Sequence, residues 1–209
     1  MTRQLLVLAS GPFGKDVARR LEHGSPEHGR EVTLLEIDQG THPSLWPRSD
    51  LIVLATSHER SRISEATDQA AFAWSIPWFS VHATATEVRC GPVVIPGHTA
   101  CHRCYMRRRE QHQRAEVGIA STGDRYPTGY PMHHVGIAAA FARQAIDEAF
   151  RTPGGEGPLS GTVRNFDQIS GATNRAPVVA VDRCTRCRTR VSSDELWRRL
   201  ATIDEGQTA

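Results

Sequence analysis

The chain of 209 residues lacks any long apolar run and any sign of an export signal. Its first apolar stretch, Leu5–Ala9, is too short for the core of a signal peptide, and no cleavage box follows it. No stretch approaches the ~18 apolar residues that a membrane-spanning helix needs. We therefore expect a cytoplasmic protein without membrane contact, in which thiols stay reduced and metal binding is favoured over disulfides.

The sequence also has no marked charge imbalance and no internal repeat. Its 25 Lys and Arg residues nearly balance 23 Asp and Glu residues, which leaves a net charge of +2. Nucleic-acid-binding proteins usually carry a strong basic excess, so we expect no nucleic acid among the partners. The length suffices for one domain with a sizeable core, or for one domain with a small appendage.

Catalytic motifs are equally scarce. Ser57 and His58 are adjacent but do not lie in a nucleophile elbow. His133 and His134 precede an alanine-rich helix and could bind an anion or transfer protons, although such histidines more often lie on the surface or satisfy helix ends. No carboxylate pair or His-x-x-x-His pattern accompanies them, so a catalytic metal is not indicated. The sequence alone predicts no catalytic residue.

Two Cys-x-x-Cys pairs about 80 residues apart are the clearest motif in the chain. They contain Cys101, Cys104, Cys184 and Cys187. Each pair can place two thiolates on one tetrahedral ion, and together they complete a closed shell. Redox dithiols or disulfides are the alternative, but neither pair opens a helix after a strand as a thioredoxin-type dithiol does. The pattern predicts a structural zinc site.

Two histidines and the fifth cysteine lie near this motif. His98 and His102 flank the first pair, and either could replace a thiolate, although four cysteines already fill a zinc shell. Cys90, the fifth cysteine, stands alone and is predicted to be a strand residue rather than a nucleophile.

The first 85 residues alternate between strand and helix patterns. Helices are predicted around Val17 and Leu21 and over Arg62–Trp74. Strands are predicted over Leu5–Ala9, Glu31–Asp38, Asp50–Thr56 and Pro77–Val81. Such alternation with short links is typical of a parallel, doubly wound sheet, so residues 1–85 are predicted to form a Rossmann-like half of an α/β fold. Trp74 and Trp78, which lie on either side of the Ile76-Pro77 turn into the last of these strands, are predicted to be core residues.

Residues 86–209 are predicted to form the zinc-binding half of the same domain. A β-rich stretch over Val88–Ile95 leads into the first cysteine pair, and helices are predicted over Tyr105–Glu116 and Val135–Phe150. A hairpin formed by Gly161–Ser170 and Ala176–Val181 leads into the second pair. A metal ion would therefore pin this hairpin to the segment before residue 105. A helical tail is expected from residue 192, with Trp197 as a possible contact to a second subunit.

The stretch 91–104 carries a resemblance to a known family. Its Gly91-Pro92, short apolar strand, Pro96-Gly97 and first cysteine pair resemble the ubiquitin-activating-enzyme-like (ThiF/MoeB-like) proteins. The likeness is closest to the branch of cyclodehydratase partner proteins that hold a leader peptide in azoline-containing ribosomal peptide biosynthesis. Residues 163–167 and 175–187 resemble the closing hairpin and second zinc pair of that branch. The resemblance implies a homodimeric auxiliary or scaffold protein of antibiotic biosynthesis that binds a precursor peptide or a partner synthetase.

The same resemblance points to a nucleotide site, but one that is degenerate. Its candidate cofactor-binding residues are Gly11, Gly14, Asp38 and Arg62. Pro12 removes one phosphate-facing N–H, and Ser57 stands where adenylating members carry an aspartate that helps to hold magnesium. Asp38 could meet a ribose or merely cap its strand. We expect no adenylation and no ATP cofactor. An active adenylating or peptide-modifying enzyme, or an oxidoreductase using a nicotinamide or flavin, is the alternative.

A basic run follows the first cysteine pair and is the candidate surface for a peptide or partner. It consists of Arg107, Arg108, Arg109 and Arg114. Because neighbouring helical residues are ~100° apart, these arginines would make a broad cationic surface rather than a phosphate pocket. A solvated helix face is the alternative. Leader-binding relatives usually carry a separate winged-helix module before this domain, so we expect leader capture to be supplied by another chain, or a partner enzyme to dock here.

Overall fold

The structure is a computed structural model that describes residues 2–24, 29–112, 129–150 and 161–187. In this part of the chain seven strands form one sheet: β1 Arg3–Ser10, β2 Arg30–Glu36, β3 Leu51–Thr56, β4 Trp78–Ala83, β5 Glu87–Cys90, β6 Thr162–Asp167 and β7 Thr173–Pro177. Four α-helices accompany them: α1 Gly11–Gly24, α2 Ser61–Trp74, α3 His102–His112 and α4 Met132–Ala149. A short 3-10 helix spans Pro43–Leu45. No helix of the described residues is both long enough and apolar enough to cross a bilayer.

The sheet has the order β2-β1-β3-β4-β5-β6-β7. Strands β1 to β4 run parallel, and Ala9 of β1 pairs with Glu36 on one side and Ala55 on the other. Strands β5, β6 and β7 continue the sheet in antiparallel fashion. This confirms the predicted α/β class with a parallel first half. The parallel strands end at Ser10, Glu36 and Thr56, within two residues of the predicted ends.

The apolar run of β1 is buried on both faces because helices cover both sides of the sheet. Leu5 and Val7 point to the core that α1 and α4 cover, and Leu6 and Leu8 point to the core beneath α2. Strand β3 follows the same rule with six buried residues. Alternation along the strand therefore fills two separate cores, one on each side of the sheet.

Several predicted elements differ from the structure in extent or place. Helix α3 begins at His102, three residues before the predicted start, and the second hairpin strand is Thr173–Pro177 rather than Ala176–Val181. Trp78 is fully buried as predicted, but Trp74 is 43% exposed because it is the last residue of α2, where it packs edge-on against Trp46. The predicted helical tail with Trp197 lies outside the described residues.

Candidate functional site

The four paired cysteines form one cluster between the start of α3 and the segment after β7. The Sγ atoms of Cys101 and Cys104 are 3.7 Å apart, those of Cys101 and Cys184 3.8 Å, and those of Cys104 and Cys187 3.4 Å. All four sulfurs lie within 4.8 Å of one another. Tetrahedral zinc with Zn–S bonds of ~2.3 Å requires sulfurs ~3.8 Å apart. The cluster therefore has the donors and the spacing of a closed metal site.

The surroundings of the sulfurs are suited to metal-bound thiolates. The backbone N–H of Val181 donates to Cys104 Sγ at 3.3 Å. Burial opposes ionisation of Cys184, but backbone N–H groups of Cys187 and Arg186 outweigh it and lower the pKa of this thiol to about 6. Burial raises the pKa of Cys187 to about 11. A bound cation supplies the charge that keeps such a buried thiolate ionised.

The two flanking histidines are not part of the cluster. Among the described residues, the group able to hold a metal contains the four cysteines alone. The ring of His102 packs against those of Trp78 and Tyr105, and burial lowers its pKa below the ordinary value. His98 is exposed. The alternative in which a histidine replaces a thiolate therefore has no support in the geometry.

The segment that carries the second cysteine pair also contacts α2. Arg186, between the last two cysteines, forms an ion pair with Asp68, whose side chain is 2% exposed. The same guanidinium lies over the aromatic face of Phe72, 5.3 Å from the centre of the ring. Asp68 additionally accepts a hydrogen bond of 3.1 Å from Trp78 Nε1. The cysteine cluster and α2 are thus joined through one short segment.

Asp38, just beyond β2, is fully engaged by the turn that follows β1. It accepts hydrogen bonds from the Gly11 N–H at 2.7 Å and from Ser10 Oγ at 2.9 Å. Lys15 Nζ lies 2.7 Å from Asp38 and 2.6 Å from Glu36. The Lys15 contact first, and then the Gly11 N–H, lower the pKa of Asp38 to about 2. Asp38 therefore acts as an anionic cap of α1.

The start of α1 has further donors taken by the protein itself. The Phe13 N–H donates to Ser57 Oγ at 3.1 Å, and Pro12 has no N–H. With the Gly11 N–H bound to Asp38, the first three residues of α1 offer no free backbone donor. Phosphate sites at helix N-termini depend on such donors. Ser57 thus caps the start of α1.

Both glycines of this turn have a packing role. Gly11 has φ of +70°, and a Cβ there would lie 2.3 Å from Ser57 Oγ. A Cβ on Gly14 would lie 2.3 Å from the carbonyl oxygen of Ala55 in β3. The glycines allow α1 to approach β3 closely, which accounts for their presence without a ligand.

Arg60, rather than the expected Arg62, contacts the end of β1. Arg62 is exposed on the first turn of α2. Arg60, just before that helix, reaches Ser10 Oγ with its Nη1 at 2.6 Å. Of the four candidate cofactor residues, the structure brings Gly11 and Asp38 into contact, places Gly14 beside them in α1, and leaves Arg62 apart.

A crevice of about 500 Å³ lies beyond the ends of β1, β3 and β4. Gly11, Ser57, Thr84 and His134 are among the residues that line it. This is where open α/β sheets bind their ligands. Burial, and then the neighbouring His133, lower the pKa of His134 below its ordinary 6.5, so its ring is neutral at pH 7.

The basic run does not form one uniform surface. Arg107 is exposed, whereas Arg108 and Arg109 are half-buried. Both carboxylate oxygens of Glu59 accept from Arg109 Nη1 at 2.6 Å, which neutralises that charge. Arg108 Nη2 donates to the carbonyl of Ala180 at 3.3 Å. Arg114 lies outside the described residues.

Comparison with known proteins establishes the fold. No family model and no curated protein matches the sequence. The heterocyclase TruD is similar over 95% of this chain and 29% of its own, with 18% identity and a TM-score of 0.64. A heterocyclase in complex with substrate and cofactor is similar over 90% of this chain and 26% of its own, with 16% identity and a TM-score of 0.63. This chain thus spans less than a third of either protein.

Two E. coli structures share a larger part of their length with this chain. The microcin synthetase McbBCD complex is matched over 87% of this chain and 67% of its own, with 14% identity and a TM-score of 0.58. MccB, solved with MccA, is matched over 88% and 66%, with 13% identity and a TM-score of 0.57. At these identities the likeness shows a common fold.

Proposed function

We propose that this chain is a zinc-stapled, non-adenylating ThiF-like protein that acts as an auxiliary or scaffold in the maturation of an azoline- or thiopeptide-type ribosomal peptide. Its fold is shared with a heterocyclase and with a microcin synthetase complex. The latter has also been solved with pro-MccB17 bound, and its TM-score to this chain is then 0.59. These likenesses support a role beside a peptide-modifying enzyme.

One observation carries the non-adenylating part of the proposal. The N–H groups that would face a nucleotide phosphate at the start of α1 are absent at Pro12 and bound by Asp38 and Ser57 at Gly11 and Phe13. A phosphate would have to displace a carboxylate held by Lys15 before it could bind there. Ser57 supplies no negative charge for magnesium, which the reaction of an ATP–magnesium complex requires.

The metal has a structural role in this proposal. Four thiolates fill a tetrahedral shell, so zinc in this cluster has no position for a substrate. The ion joins the start of α3 to the segment after β7 and, through Arg186 and Asp68, to α2. The metal therefore holds the surfaces around α3 in a fixed arrangement.

The surfaces around α3 are the proposed binding region. We assign precursor or partner contact to the region of Arg107, Arg108, Arg109 and Arg114, and we assign a homodimer as the assembled form. A protein that holds a peptide and its synthetase together raises the effective concentration of one for the other.

A reconstitution experiment tests the scaffold role. The cognate synthetase and precursor are mixed at concentrations below their mutual Kd, and modification is followed by mass spectrometry with and without this chain. We expect the chain to speed modification at low synthetase concentration and to lose this effect when the synthetase saturates the precursor. Stimulation that persists at saturation would indicate a chemical contribution and contradict the scaffold role.

An adenylating enzyme is the second candidate, and the crevice of about 500 Å³ favours it. Asp38 remains at the end of β2, where a ribose contact would lie. Calorimetric titration of the zinc-loaded chain with ATP–magnesium, NAD, NADP and a flavin separates this candidate and an oxidoreductase from the scaffold. Saturable binding of any of these nucleotides would favour the corresponding enzyme.

A further inference from the structure

A groove of about 620 Å³ lies between α3 and strands β5 to β7. We call it the α3 groove and define it by Arg89, Tyr105, Arg108, Asn165 and Val179. Its floor follows from strand register, because Arg89 of β5 pairs directly with Asn165 of β6. Side chains at directly paired positions lie on the same face of a sheet, so these two polar groups stand side by side.

The α3 groove contains an unusual concentration of polar atoms without partners. In the described part of the chain, six buried side-chain nitrogen or oxygen atoms have no hydrogen-bond partner. Three of them, Arg89 Nε, Arg108 Nε and Asn165 Oδ1, belong to residues of this groove. Buried polar atoms are rarely left unpaired in native proteins, and a cluster of them marks a place where something else binds.

The charges in the groove leave one cation uncompensated. Arg89 pairs with Glu87, and Arg109 pairs with Glu59. Arg108 has no ion pair among the described residues and donates only to the carbonyl of Ala180. A half-buried guanidinium prefers a carboxylate, which can accept from Nε and Nη together.

The neighbouring groups favour an anion in the same position. Arg89 Nη1 donates to Tyr105 Oη at 2.9 Å, which leaves its Nε free in the groove. Asn165 can present its N–H donors in place of Oδ1 after a half-turn of its amide. His82, next to Arg89 in the sheet, adds no charge because burial lowers its pKa to about 4.

We propose that the α3 groove is a binding site for a carboxylate group, held by Arg108 and Arg89 with Asn165 beside them. An acidic side chain of an extended peptide and a free small carboxylate share this chemistry. The exposed Val179, at 66%, borders the groove and gives an apolar neighbour to the acidic residue of a peptide. The peptide source rests on the proposed function, whereas the carboxylate site does not.

Binding of synthetic probes tests this inference. The first probe is a capped, rhodamine-labelled peptide of alternating valine and glutamate, and the second has glutamine in place of glutamate. Fluorescence anisotropy with the zinc-loaded chain should show binding of the glutamate peptide and ~10-fold weaker binding of the glutamine peptide, since charge-assisted hydrogen bonds are the main difference. Equal affinity for the two peptides, or no binding of either, would overturn the proposal.

Two variants locate the site, and a matched control excludes a general charge effect. Arg108→Gln should weaken glutamate-peptide binding ~10-fold or more, and so should Asn165→Asp, which places a like charge in the groove. Arg103→Gln removes the same charge from an exposed position of α3 outside the groove and should leave binding unchanged. Metal content and thermal unfolding verify that each variant is folded. Equal weakening by Arg103→Gln and Arg108→Gln would refute the site.

Competition with sodium succinate distinguishes the two sources of the carboxylate. If succinate displaces the glutamate peptide, the groove binds free small carboxylates. If succinate does not reduce peptide binding, the groove binds the acidic side chains of a peptide. Failure of the reconstitution experiment with intact probe binding would count against the scaffold role alone. Intact reconstitution without probe binding would count against this site alone.

Discussion

Replacement of Cys184 by serine is the sharpest perturbation of the metal centre. Cys184 Sγ lies 3.8 Å from Cys101 Sγ and belongs to a residue 83 positions away in the chain. Serine is smaller and a far weaker ligand for zinc than a thiolate, so the shell is left with three sulfurs. The segment that carries Cys187 and Arg186 then loses one of its two metal ligands.

The size of the effect follows from the length of the loop that the metal closes. A cross-link across a loop of this length removes about 4–5 kcal/mol of chain entropy from the unfolded state. The remaining three ligands keep part of this, so we expect a loss of about 2–4 kcal/mol in the free energy of unfolding. This is a large share of the ~5–15 kcal/mol that stabilises a typical domain.

Urea unfolding at fixed free zinc, together with metal analysis of the folded protein, measures both consequences. The wild-type chain should contain one zinc, and Cys184→Ser should contain less and unfold at lower urea. Cys90→Ala is the matched control, because Cys90 is buried in β5 away from the cluster and should leave the zinc content unchanged. Unchanged stability and zinc content in Cys184→Ser would refute the reasoning.

Three other predictions concern the fold around the site. Glu148→Ala should cost about 3–5 kcal/mol in urea unfolding, because Glu148 pairs with Arg164 at 2.6 Å and both are buried. Gly14→Ala should destabilise by about 1–3 kcal/mol through its contact with Ala55, whereas Gly136→Ala, with open space in α4, should stabilise by about 0.5–1 kcal/mol. The pKa of Asp38 is about 2 instead of 3.8, so the ionised carboxylate stabilises the folded state, by about 1 kcal/mol after discounting for exposure. This contribution to the free energy of unfolding should be lost as the pH falls from about 4 to 2. It should be absent at every pH in Asp38→Asn.

Each of these three has a clear contradicting result. An unfolding midpoint of Glu148→Ala equal to that of a variant at the exposed Glu110 would contradict the buried pair. Equal stability of the two glycine variants would contradict the close approach of α1 to β3. A stability difference between wild type and Asp38→Asn that stays constant from pH 5 to about 2 would contradict the capping role of Asp38.

The elements that the sequence predicts well are those governed by local pattern. Leu5–Ala9 is apolar throughout because β1 is buried on both faces. An apolar run this short is typical of a buried strand, since helices are usually longer. The cysteine spacing likewise indicates one cluster, because two pairs can satisfy one tetrahedral ion at any separation along the chain.

The features that the sequence could not predict depend on tertiary contacts. Strand β7 is polar and exposed, as an edge strand of the sheet can be. A prediction from apolar pattern therefore assigns the strand to the apolar residues that follow it, beginning at Val178. Arg60 replaces Arg62 beside Ser10 because α2 begins at Ser61 and turns Arg62 outward. Arg89 and Asn165 of the α3 groove lie side by side because of strand register, which the sequence alone does not specify.

The central claim is that the start of α1 is closed to nucleotide phosphate by Asp38 and Ser57. ATP–pyrophosphate exchange with the zinc-loaded chain, measured with and without the cognate precursor peptide, tests it most directly. We predict exchange at the level of a protein-free control under both conditions, because no free N–H at the first three residues of α1 can meet the phosphates. Exchange above that level, increased by the peptide, would contradict the account.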